Sequence, residues 1–387
     1  MKTLIYPDIA TNLTQYENLN SDIIVYDAED TLTTQYEKTC DDDIFTNEVN
    51  IILAPTTTTT GKYDTKSLTQ MCRQLSDKIR TDTLVVIDAQ IPPRTVYKMK
   101  KVIDEYDLIP DIKIAYTNKI SQNTRIIAAT NQEALNETVE LYKSMPEEIK
   151  TCKHIQTAEA IPLIKNTYKD TTIALSNQLA ILSEALTIDL IEAIDIINNE
   201  NMQIPYPKPI LENRVIMDSN QILRLADEYG ESTTLTQITR DTNNYVAYHM
   251  AYMAEKELYL KEHLAMFETT VAILGITEDQ ELITQEDNTS LILVDDFVSR
   301  DVEVWVHDDK ISEQIIEEHG AQKITLEQAY EADCIIIMTD TPEYRELDPE
   351  RIEKVIITAL PLFDEEKFSN VKYSSVGQYR LKKGEML

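Results

Sequence analysis

Short apolar runs that alternate with helical stretches most constrain the fold of this 387-residue chain. The first third contains four strand-like runs, at 23–26, 51–54, 84–87 and 112–115, with helical stretches at 65–80 and 95–105 between them. Strands that are apolar on both faces and separated by helices are typical of a parallel sheet covered on both sides. Right-handed crossovers then predict a doubly wound α/β domain.

The rest of the chain shows two further patterns. From about residue 158 to 198, apolar residues recur at three- and four-residue steps, which predicts one long helix; further helices are predicted at 219–229 and 233–268. The last third returns to strands, at 271–275, 302–307, 334–338 and 355–358. We predict an α/β chain of two doubly wound Rossmann-like domains joined by a long central helix and a helical middle domain, with boundaries 1–150, 151–268 and 269–387.

Glycine is scarce where a dinucleotide-binding domain needs it. The chain has 6 glycines, the first at Gly61, whereas average usage is about 7%. A pyrophosphate-binding turn needs glycine between the first strand and the first helix, so that the backbone can approach the phosphates. The stretch 7–13 that follows the run 3–6 has no glycine, and Asp8 would face a phosphate with like charge. This loop therefore lacks the features that bind a dinucleotide.

Charge and hydropathy exclude several partner classes. The net charge of -32 argues against nucleic acid and against anionic membrane surfaces, because both are bound through clustered Lys and Arg. No apolar run reaches the roughly 20 residues that span a bilayer, and the N-terminus does not resemble a signal peptide, so we expect a cytoplasmic protein. The acidity fits either a salt-rich cytosol or simple solubility, and we favour solubility.

The cysteines and histidines form no known metal-binding pattern. Cys40, Cys72, Cys152 and Cys334 lie far apart without a CxxC pair, and the five histidines show neither HxxxH nor HExxH. We predict no metal site. Cys334 lies in an apolar strand-like run and is predicted to be a core residue.

Several segments in register resemble the UDP-glucose/GDP-mannose (nucleotide-sugar 6-) dehydrogenase family. The longest is 157–170, which reads TAEAIPLIKNTYKD, followed by IALSNQL at 173–179. Supporting segments are Ala54-Pro55-Thr56, 86–93, Arg240-Asp241-Thr242-Asn243, 273–275 and 373–377. The resemblance covers nearly the whole chain and is closest in style to the UDP-N-acetylmannosamine dehydrogenases.

The resemblance implies a reaction and a cofactor. In this family two NAD molecules oxidise a sugar C6 alcohol in succession, in polysaccharide precursor synthesis, while a cysteine holds the intermediate covalently. A lysine and an asparagine stabilise the developing charge. Asp27, after the second strand, matches the acidic residue expected on the adenosine ribose, and Pro55 and Thr56 match a further cofactor-binding segment. The likeness and the apolar middle helix together predict a homodimer.

The chain departs from the family where the chemistry lies. Arg214 occupies the position of the nucleophilic cysteine, Pro162 that of the lysine and Lys119 that of a glutamate. Asn166 and Asp218 are retained. The positions of two substrate-binding cations become Asp279 and Glu286, which would repel a diphosphate.

These departures leave three functional hypotheses, of which the third, altered chemistry on a different ligand, is specified by nothing in the sequence. The first, which we favour, is a pseudoenzyme: a dimeric dehydrogenase scaffold that binds a nucleotide or nucleotide sugar, or serves assembly, without catalysis. The second is an active NAD-dependent UDP-sugar 6-dehydrogenase in which Cys152 is the nucleophile. Asn166 is either a remaining oxyanion donor or a structural amide, and Arg214 binds an anion or is a solvated cation. Lys165, Lys169, Lys208 and Arg240 are expected to be scattered surface cations.

Overall fold

A computed structural model describes most of the chain, which divides into two compact units. The first comprises 1–58 and 62–165, and the second comprises 59–61 and 166–387. The residues described are 2–6, 16, 18–19, 22–26, 37–39, 48–53, 56–58, 61–76, 82–104, 112–200, 202–277, 287–352, 354–360, 362–363 and 372–377. The three-domain boundaries predicted from the sequence stay a prediction.

The first unit is built on an eight-stranded sheet. Its strands are β1 (Lys2–Tyr6), β2 (Asp22–Tyr26), β3 (Glu37–Thr39), β4 (Val49–Ile52), β5 (Leu84–Asp88), β6 (Lys113–Ser121), β7 (Thr124–Ala129) and β8 (Glu148–Thr151). They lie in the order β3-β2-β1-β4-β5-β6-β7-β8, and every neighbouring pair is parallel except β6 and β7. The sheet is therefore doubly wound, with one antiparallel hairpin towards an edge.

Both faces of this sheet are covered. Helices α1 (Lys66–Ser76) and α2 (Thr95–Asp104) pack with Val85 and Ile87 on one face, whereas α3 (Gln132–Tyr142) packs with Leu84 and Val86 on the other. Consecutive residues of a strand point to opposite faces, which is why β5 is apolar throughout its first four residues.

The helical middle of the chain consists of α4 (Ile155–Leu186), α5 (Leu190–Asn198), α6 (Asn213–Tyr229) and α7 (Thr234–Glu262). The prediction of one helix from 158 to 198 is wrong in extent. Thr187 has a positive φ of 59°, which ends α4, and Asp189 caps α5 by accepting a hydrogen bond from the Glu192 amide. An apolar repeat cannot reveal such a break, because it continues on both sides of it.

The second unit contains a six-stranded, all-parallel sheet. Its strands are β9 (Thr270–Leu274), β10 (Glu303–His307), β11 (Gln322–Lys323), β12 (Cys334–Ile337), β13 (Val355–Thr358) and β14 (Lys372–Ser375), in the order β11-β10-β9-β12-β13-β14. Helices α8 (Thr289–Ser299), α9 (Glu313–Glu318) and α10 (Pro342–Arg345) connect them. Helices α7 and α8 cover one face, and Cys334 is a core residue there, as predicted. The predicted fold class is confirmed.

Candidate functional site

Asn166 and Asp218, which the resemblance predicts to be retained from the family's catalytic set, lie in the second unit and touch each other. Asn166, on α4, donates from Nδ2 to Asp218 Oδ2 on α6 at 2.6 Å. Asp218 is fully buried and Asn166 is half-buried. A charged acceptor makes this a strong hydrogen bond, so the amide is oriented by the carboxylate.

Arg214 lies one helical turn before Asp218, as the second residue of α6. Glu212 is the N-cap of that helix, without a side-chain capping hydrogen bond. A helix N-terminus carries partial positive charge, which lowers the pKa of a cysteine placed there and is unfavourable for a cation. The local geometry therefore suits a thiolate, but the side chain present is a guanidinium.

No described cysteine has the environment of an activated thiol. Burial raises the pKa of Cys72 to about 12 and also raises that of Cys152, which follows β8 in the first unit. Burial and the nearby Asp333 and Glu257 raise the pKa of Cys334. A raised pKa leaves less thiolate for attack. Cys40 lies outside the described residues.

A buried polar network holds α4 and α7 together in the second unit. Arg240 Nη1 donates to Asp170 Oδ1 at 2.9 Å, and Asn243 Nδ2 donates to the same oxygen at 2.7 Å. Asn177 Nδ2 donates to Asn243 Oδ1 at 2.9 Å, and its Oδ1 accepts from the main-chain N of Lys208 at 2.7 Å. The family-like segments around Asn177 and Arg240 are therefore part of the scaffold, and Arg240 is not the surface cation that we expected.

Two of the other three candidate cations, Lys169 and Lys165, form local contacts. Lys169 Nζ lies 2.6 Å from Glu212 Oε1, with both side chains about half exposed. Lys165, in the first unit, donates to the carbonyl oxygen of Ile120. Neither is oriented by buried acceptors, in contrast to Arg240.

The first unit holds the remaining predicted positions. Lys119 forms an ion pair with Glu147 at 2.9 Å. Burial alone would raise the pKa of Glu147, but the hydrogen bond from Lys119 and the charge of Arg125 outweigh it, and the pKa is lowered. Thr56 Oγ1 donates to the carbonyl oxygen of Gln90 at 2.7 Å. Asp8, Asp27 and Pro55 lie outside the described residues, as do Asp279 and Glu286 of the second unit.

Pro162 lies within α4, beyond its first turn. Proline has no N–H, so the carbonyl of Ala158 receives no hydrogen bond from position 162, and the ring crowds that carbonyl. The helix nevertheless continues through Pro162 to Leu186. No ammonium group can be supplied from this position.

Asp88, at the carboxyl end of β5, is a buried acceptor that the sequence reasoning did not single out. Its Oδ2 accepts from Tyr16 at 2.8 Å, Arg125 at 2.9 Å and Tyr142 at 3.1 Å. Burial, followed by the negative charge of Asp88, raises the pKa of both tyrosines, so they remain hydroxyl donors. The sequence signal was an aspartate directly after a four-residue apolar strand, a position where ligands commonly bind in parallel sheets. Here the carboxylate of Asp88 accepts its hydrogen bonds from protein side chains.

A second buried carboxylate caps α2. Glu159 accepts from the main-chain N of Arg94 at 2.6 Å and of Val96 at 2.7 Å. Both donors belong to the start of the helix, which needs acceptors for its first amide groups. Burial, partly offset by these hydrogen bonds, raises the pKa of Glu159 to about 7. This residue also belongs to the best-matching family segment and acts in the scaffold.

In the second unit, the side chain of Asp308 accepts hydrogen bonds from the main-chain amides that follow β9. Its Oδ2 accepts from the main-chain N of Ile276 at 2.7 Å and of Thr277 at 3.1 Å. Gly275 has a φ of +88°, and a Cβ there would lie 2.0 Å from Thr339 Oγ1, which explains the glycine. The main-chain amides at the end of β9 thus donate to a carboxylate of the protein itself.

None of the helices, over the residues that could be placed, is long and apolar enough to cross a membrane.

Comparisons with known proteins agree with this architecture. Residues 156–245 match the profile of the UDP-glucose/GDP-mannose dehydrogenase family, central domain, and residues 272–370 match the UDP binding domain of the same family. The UDP-N-acetyl-D-mannosamine dehydrogenase of Pyrococcus horikoshii is 24% identical over 327 residues, 81% of this chain and 76% of that protein. The enzyme of that name from Methanococcus vannielii is 24% identical over 278 residues, 70% of this chain but only 63% of its own length.

Solved structures show the same fold. The structure of the Pyrococcus horikoshii UDP-D-ManNAc dehydrogenase aligns over 97% of this chain and 99% of its own, with a TM-score of 0.79 and 21% identity. An NDP-N-acetyl-D-galactosaminuronic acid dehydrogenase from Methanosarcina mazei aligns over 98% and 95%, with a TM-score of 0.82 and 17% identity.

Proposed function

The chain is a divergent member of the UDP-glucose/GDP-mannose dehydrogenase family, and from this premise we propose that it is a pseudoenzyme that binds a nucleotide or nucleotide sugar. In this proposal the protein acts as a binding or assembly scaffold in polysaccharide precursor synthesis. The observation that carries the proposal is Arg214 at the start of α6, one turn before the Asn166–Asp218 pair. A guanidinium has no nucleophilic lone pair at usable pH, so no thiohemiacetal can form there.

Two further observations support the loss of catalysis. Pro162 places a neutral ring where the family has its lysine, so the oxyanion would lose a cationic partner. Lys119, at the family's glutamate position, is paired with Glu147. Each change removes a different chemical function, and their joint presence is not expected under selection for turnover.

We propose that nucleotide-sugar binding is retained and NAD binding is not. The match of residues 272–370 to a UDP binding domain supports the first part, although Asp279 and Glu286 stand where the resemblance places substrate-binding cations and are unfavourable for a diphosphate. The absence of glycine before Gly61, with Asp8 in the first loop, supports the second, because a pyrophosphate needs close backbone approach and no like charge. Because relatives in this family use NAD, the two parts of the proposal need separate tests. Thermal shift measures the binding of each ligand separately.

The active-enzyme alternative has one observation in its favour, namely the intact contact between Asn166 and Asp218. The decisive experiment mixes the purified protein with NAD and a panel of UDP- and GDP-sugars and follows NADH absorbance. We expect no NADH, with the Pyrococcus horikoshii enzyme as positive control. Sustained NADH formation that is abolished by Cys152→Ser would establish the alternative instead.

Ligand binding is tested on the same sample by thermal unfolding. A ligand that binds only the native state at 100 times its Kd stabilises by about 2.7 kcal/mol. We expect a rise in Tm with UDP or a UDP-sugar and none with NAD. If no nucleotide shifts the Tm, the binding role fails and an assembly role remains.

We also propose a homodimer formed through α4 and α7. Exposed side chains recur every seven residues on each helix: Ile238, Tyr245, Tyr252 and Tyr259 on α7, and Tyr168, Leu175 and Leu182 on α4. The α7 stripe borders an open groove of about 770 Å³ that also includes Leu260 and Phe267. Large apolar patches on a folded surface mark interaction sites, and a seven-residue repeat suits a second helix.

Light scattering tests the dimer. We expect Tyr245→Ser/Tyr252→Ser to yield monomers at concentrations where the parent chain is dimeric. The control Tyr97→Ser/Tyr229→Ser changes two equally exposed tyrosines outside the stripe and is expected to stay dimeric. A monomeric parent chain would refute this part of the proposal and leave the pseudoenzyme assignment intact.

A further inference from the structure

One histidine and two carboxylates converge at the carboxyl edge of the second sheet. A ring nitrogen of His307 and one carboxylate oxygen each from Asp309 and Glu343 lie within 4.8 Å of one another. His307 ends β10 and Asp309 follows it, while Glu343 follows β12. Strands β10 and β12 are the two neighbours of β9, so the three side chains flank the end of β9.

This position is the topological switch point of the sheet. From β9 the chain proceeds outwards through β10 and β11, and then returns to add β12, β13 and β14 on the other side. The connections at such a point leave a crevice at the carboxyl ends of the strands, where doubly wound proteins bind ligands. The cluster therefore lies where the fold itself provides room for a ligand.

The hydrogen bonds of His307 fix its tautomer. Tyr344 Oη donates to the carbonyl oxygen of His307 at 3.0 Å, and it also lies 3.0 Å from His307 Nδ1. A carbonyl can only accept, so the single tyrosine proton is used there, and Nδ1–H must donate to Oη. In the neutral ring, Nε2 then carries a free lone pair. Metal-binding histidines are oriented in the same way, by donating the other ring N–H to an outer partner.

The two carboxylates are not neutralised by protein cations. Among the described residues, neither Asp309 nor Glu343 forms a hydrogen bond or an ion pair, and both side chains are exposed. The neighbouring acids are used elsewhere: Asp308 binds the amides after β9, and Asp340 pairs with Arg345. The negative charge at this edge is therefore uncompensated at Asp309 and Glu343 in particular.

We propose that His307, Asp309 and Glu343 form a binding site for a first-row divalent transition-metal ion such as Zn²⁺. One imidazole with two carboxylates is a borderline donor set, which Zn²⁺ prefers and which Mg²⁺ and Ca²⁺, with their preference for oxygen, do not. Metal–ligand bonds of about 2.0–2.2 Å require donor atoms about 3.3–3.6 Å apart in a tetrahedron. Rotation of the two exposed carboxylates brings the donor atoms from the observed separation of up to 4.8 Å to this shorter distance. Three protein ligands leave one position for water or a ligand oxygen.

Calorimetric titration with Zn²⁺ in excess Mg²⁺ tests the site, because Mg²⁺ occupies the diffuse negative surface of this chain. We expect one saturable site in the parent chain and a loss of about tenfold to 100-fold in affinity in Asp309→Asn/Glu343→Gln. The control Glu313→Gln/Glu346→Gln removes the same charge from exposed residues nearby and is expected to bind like the parent. Equal weakening in both variants, or no saturable site in the parent, would overturn the proposal.

A spectroscopic readout identifies the histidine. The chain has only five histidines, so selective ¹⁵N-histidine labelling gives a simple spectrum. We expect one ring, missing in His307→Asn, to show the Nδ1–H tautomer and to be the ring broadened by the first equivalent of Mn²⁺ or Co²⁺. Tyr344→Phe is expected to weaken Zn²⁺ about tenfold through loss of the outer partner. Broadening of another histidine, or of all five alike, would refute the assignment.

Discussion

At the scale of single residues, the contact between Asn166 and Asp218 decides what remains of a reactive centre. A hydrogen bond to a charged group contributes about 1.5–3 kcal/mol, and half-burial of Asn166 places this one near the lower value. A double-mutant cycle with Asn166→Ala and Asp218→Ala, measured by denaturant unfolding, is expected to give a coupling energy of about 1–2 kcal/mol.

The matched control joins the same two segments of chain. Lys169 and Glu212 form an exposed ion pair, which is expected to give a coupling of about 0–0.5 kcal/mol. Equal coupling in the two cycles would mean that the buried aspartate does not orient Asn166, and that the amide is not held in place for any ligand.

Glu159 predicts a pH dependence of stability. Its pKa is raised to about 7 in the folded protein from an ordinary value of 4.5, so the folded state binds more protons between these values. Stability from this group is therefore greatest at low pH and falls as pH rises from about 5 to 7, by on the order of 3 kcal/mol at most. We expect the parent chain's stability minus that of Glu159→Gln to fall over this range.

The chain has 68 acidic residues, and the titration of the others also changes stability with pH. Taking the difference between the parent chain and the variant cancels that contribution. Glu140→Gln, on the exposed side of α3, is the control and is expected to leave the difference flat with pH. A difference that instead grows with pH would mean that the amide groups of α2 outweigh burial and hold Glu159 ionised.

At the scale of elements, we expect α4 to be less stable with Pro162 than it would be with alanine at the same position. Pro162→Ala restores an N–H that can donate to the carbonyl of Ala158, which stabilises the folded state by up to about 3 kcal/mol. The same change raises the conformational entropy of the unfolded chain, which costs about 0.4–1 kcal/mol of stability. We expect a net gain of about 1–2 kcal/mol, visible as a higher denaturation midpoint. Pro342→Ala is the control, since Pro342 starts α10, where proline is favoured, and no gain is expected. A loss of stability in Pro162→Ala would show that α4 has adapted to the ring.

The elements also show which sequence signals suffice. The run Val355–Thr358 predicted β13 with both its ends, because a fully buried parallel strand needs an unbroken apolar run and little else. The run at 112–115 predicted only the start of β6, and the strands β3, β7, β8, β11 and β14 were not predicted. Strand β8 reads Glu-Ile-Lys-Thr, with mostly exposed residues at the sheet edge, so hydropathy carries no signal there.

The candidate site shows the corresponding limit for side chains. The sequence identified Asn166, Asp218 and Arg214 through their motifs, and two of the three are in contact. It could not identify the acceptor role of Asp88 or the cluster of His307 with Glu343, because these sets gather residues from segments that are far apart in the sequence. Sheet order brings them together, and no short motif encodes sheet order.

At the scale of the whole molecule, the net charge of -32 predicts that added salt stabilises the fold. Like charges spread over a compact surface repel each other more than in the unfolded chain, and this repulsion is screened as the Debye length falls from roughly 30 Å at 0.01 M to about 3 Å at 1 M. The buried pair Arg240–Asp170 is screened much less, so little stabilising energy is lost in return. We expect the apparent Tm to rise by several degrees with NaCl and to level off by roughly 1 M.

The same measurement separates the two explanations of the acidity. If the carboxylates serve solubility, the salt effect is pure screening; it reaches a plateau and shrinks as pH falls toward the isoelectric point, because protonation removes the repelling charges. Adaptation to a salt-rich cytosol would instead give a Tm that keeps rising at molar salt, with a KCl response that differs from that of NaCl at equal ionic strength. A Tm that falls with the first additions of salt would contradict both, since it would mean that exposed ion pairs such as Arg351–Glu327 stabilise more than the net repulsion destabilises.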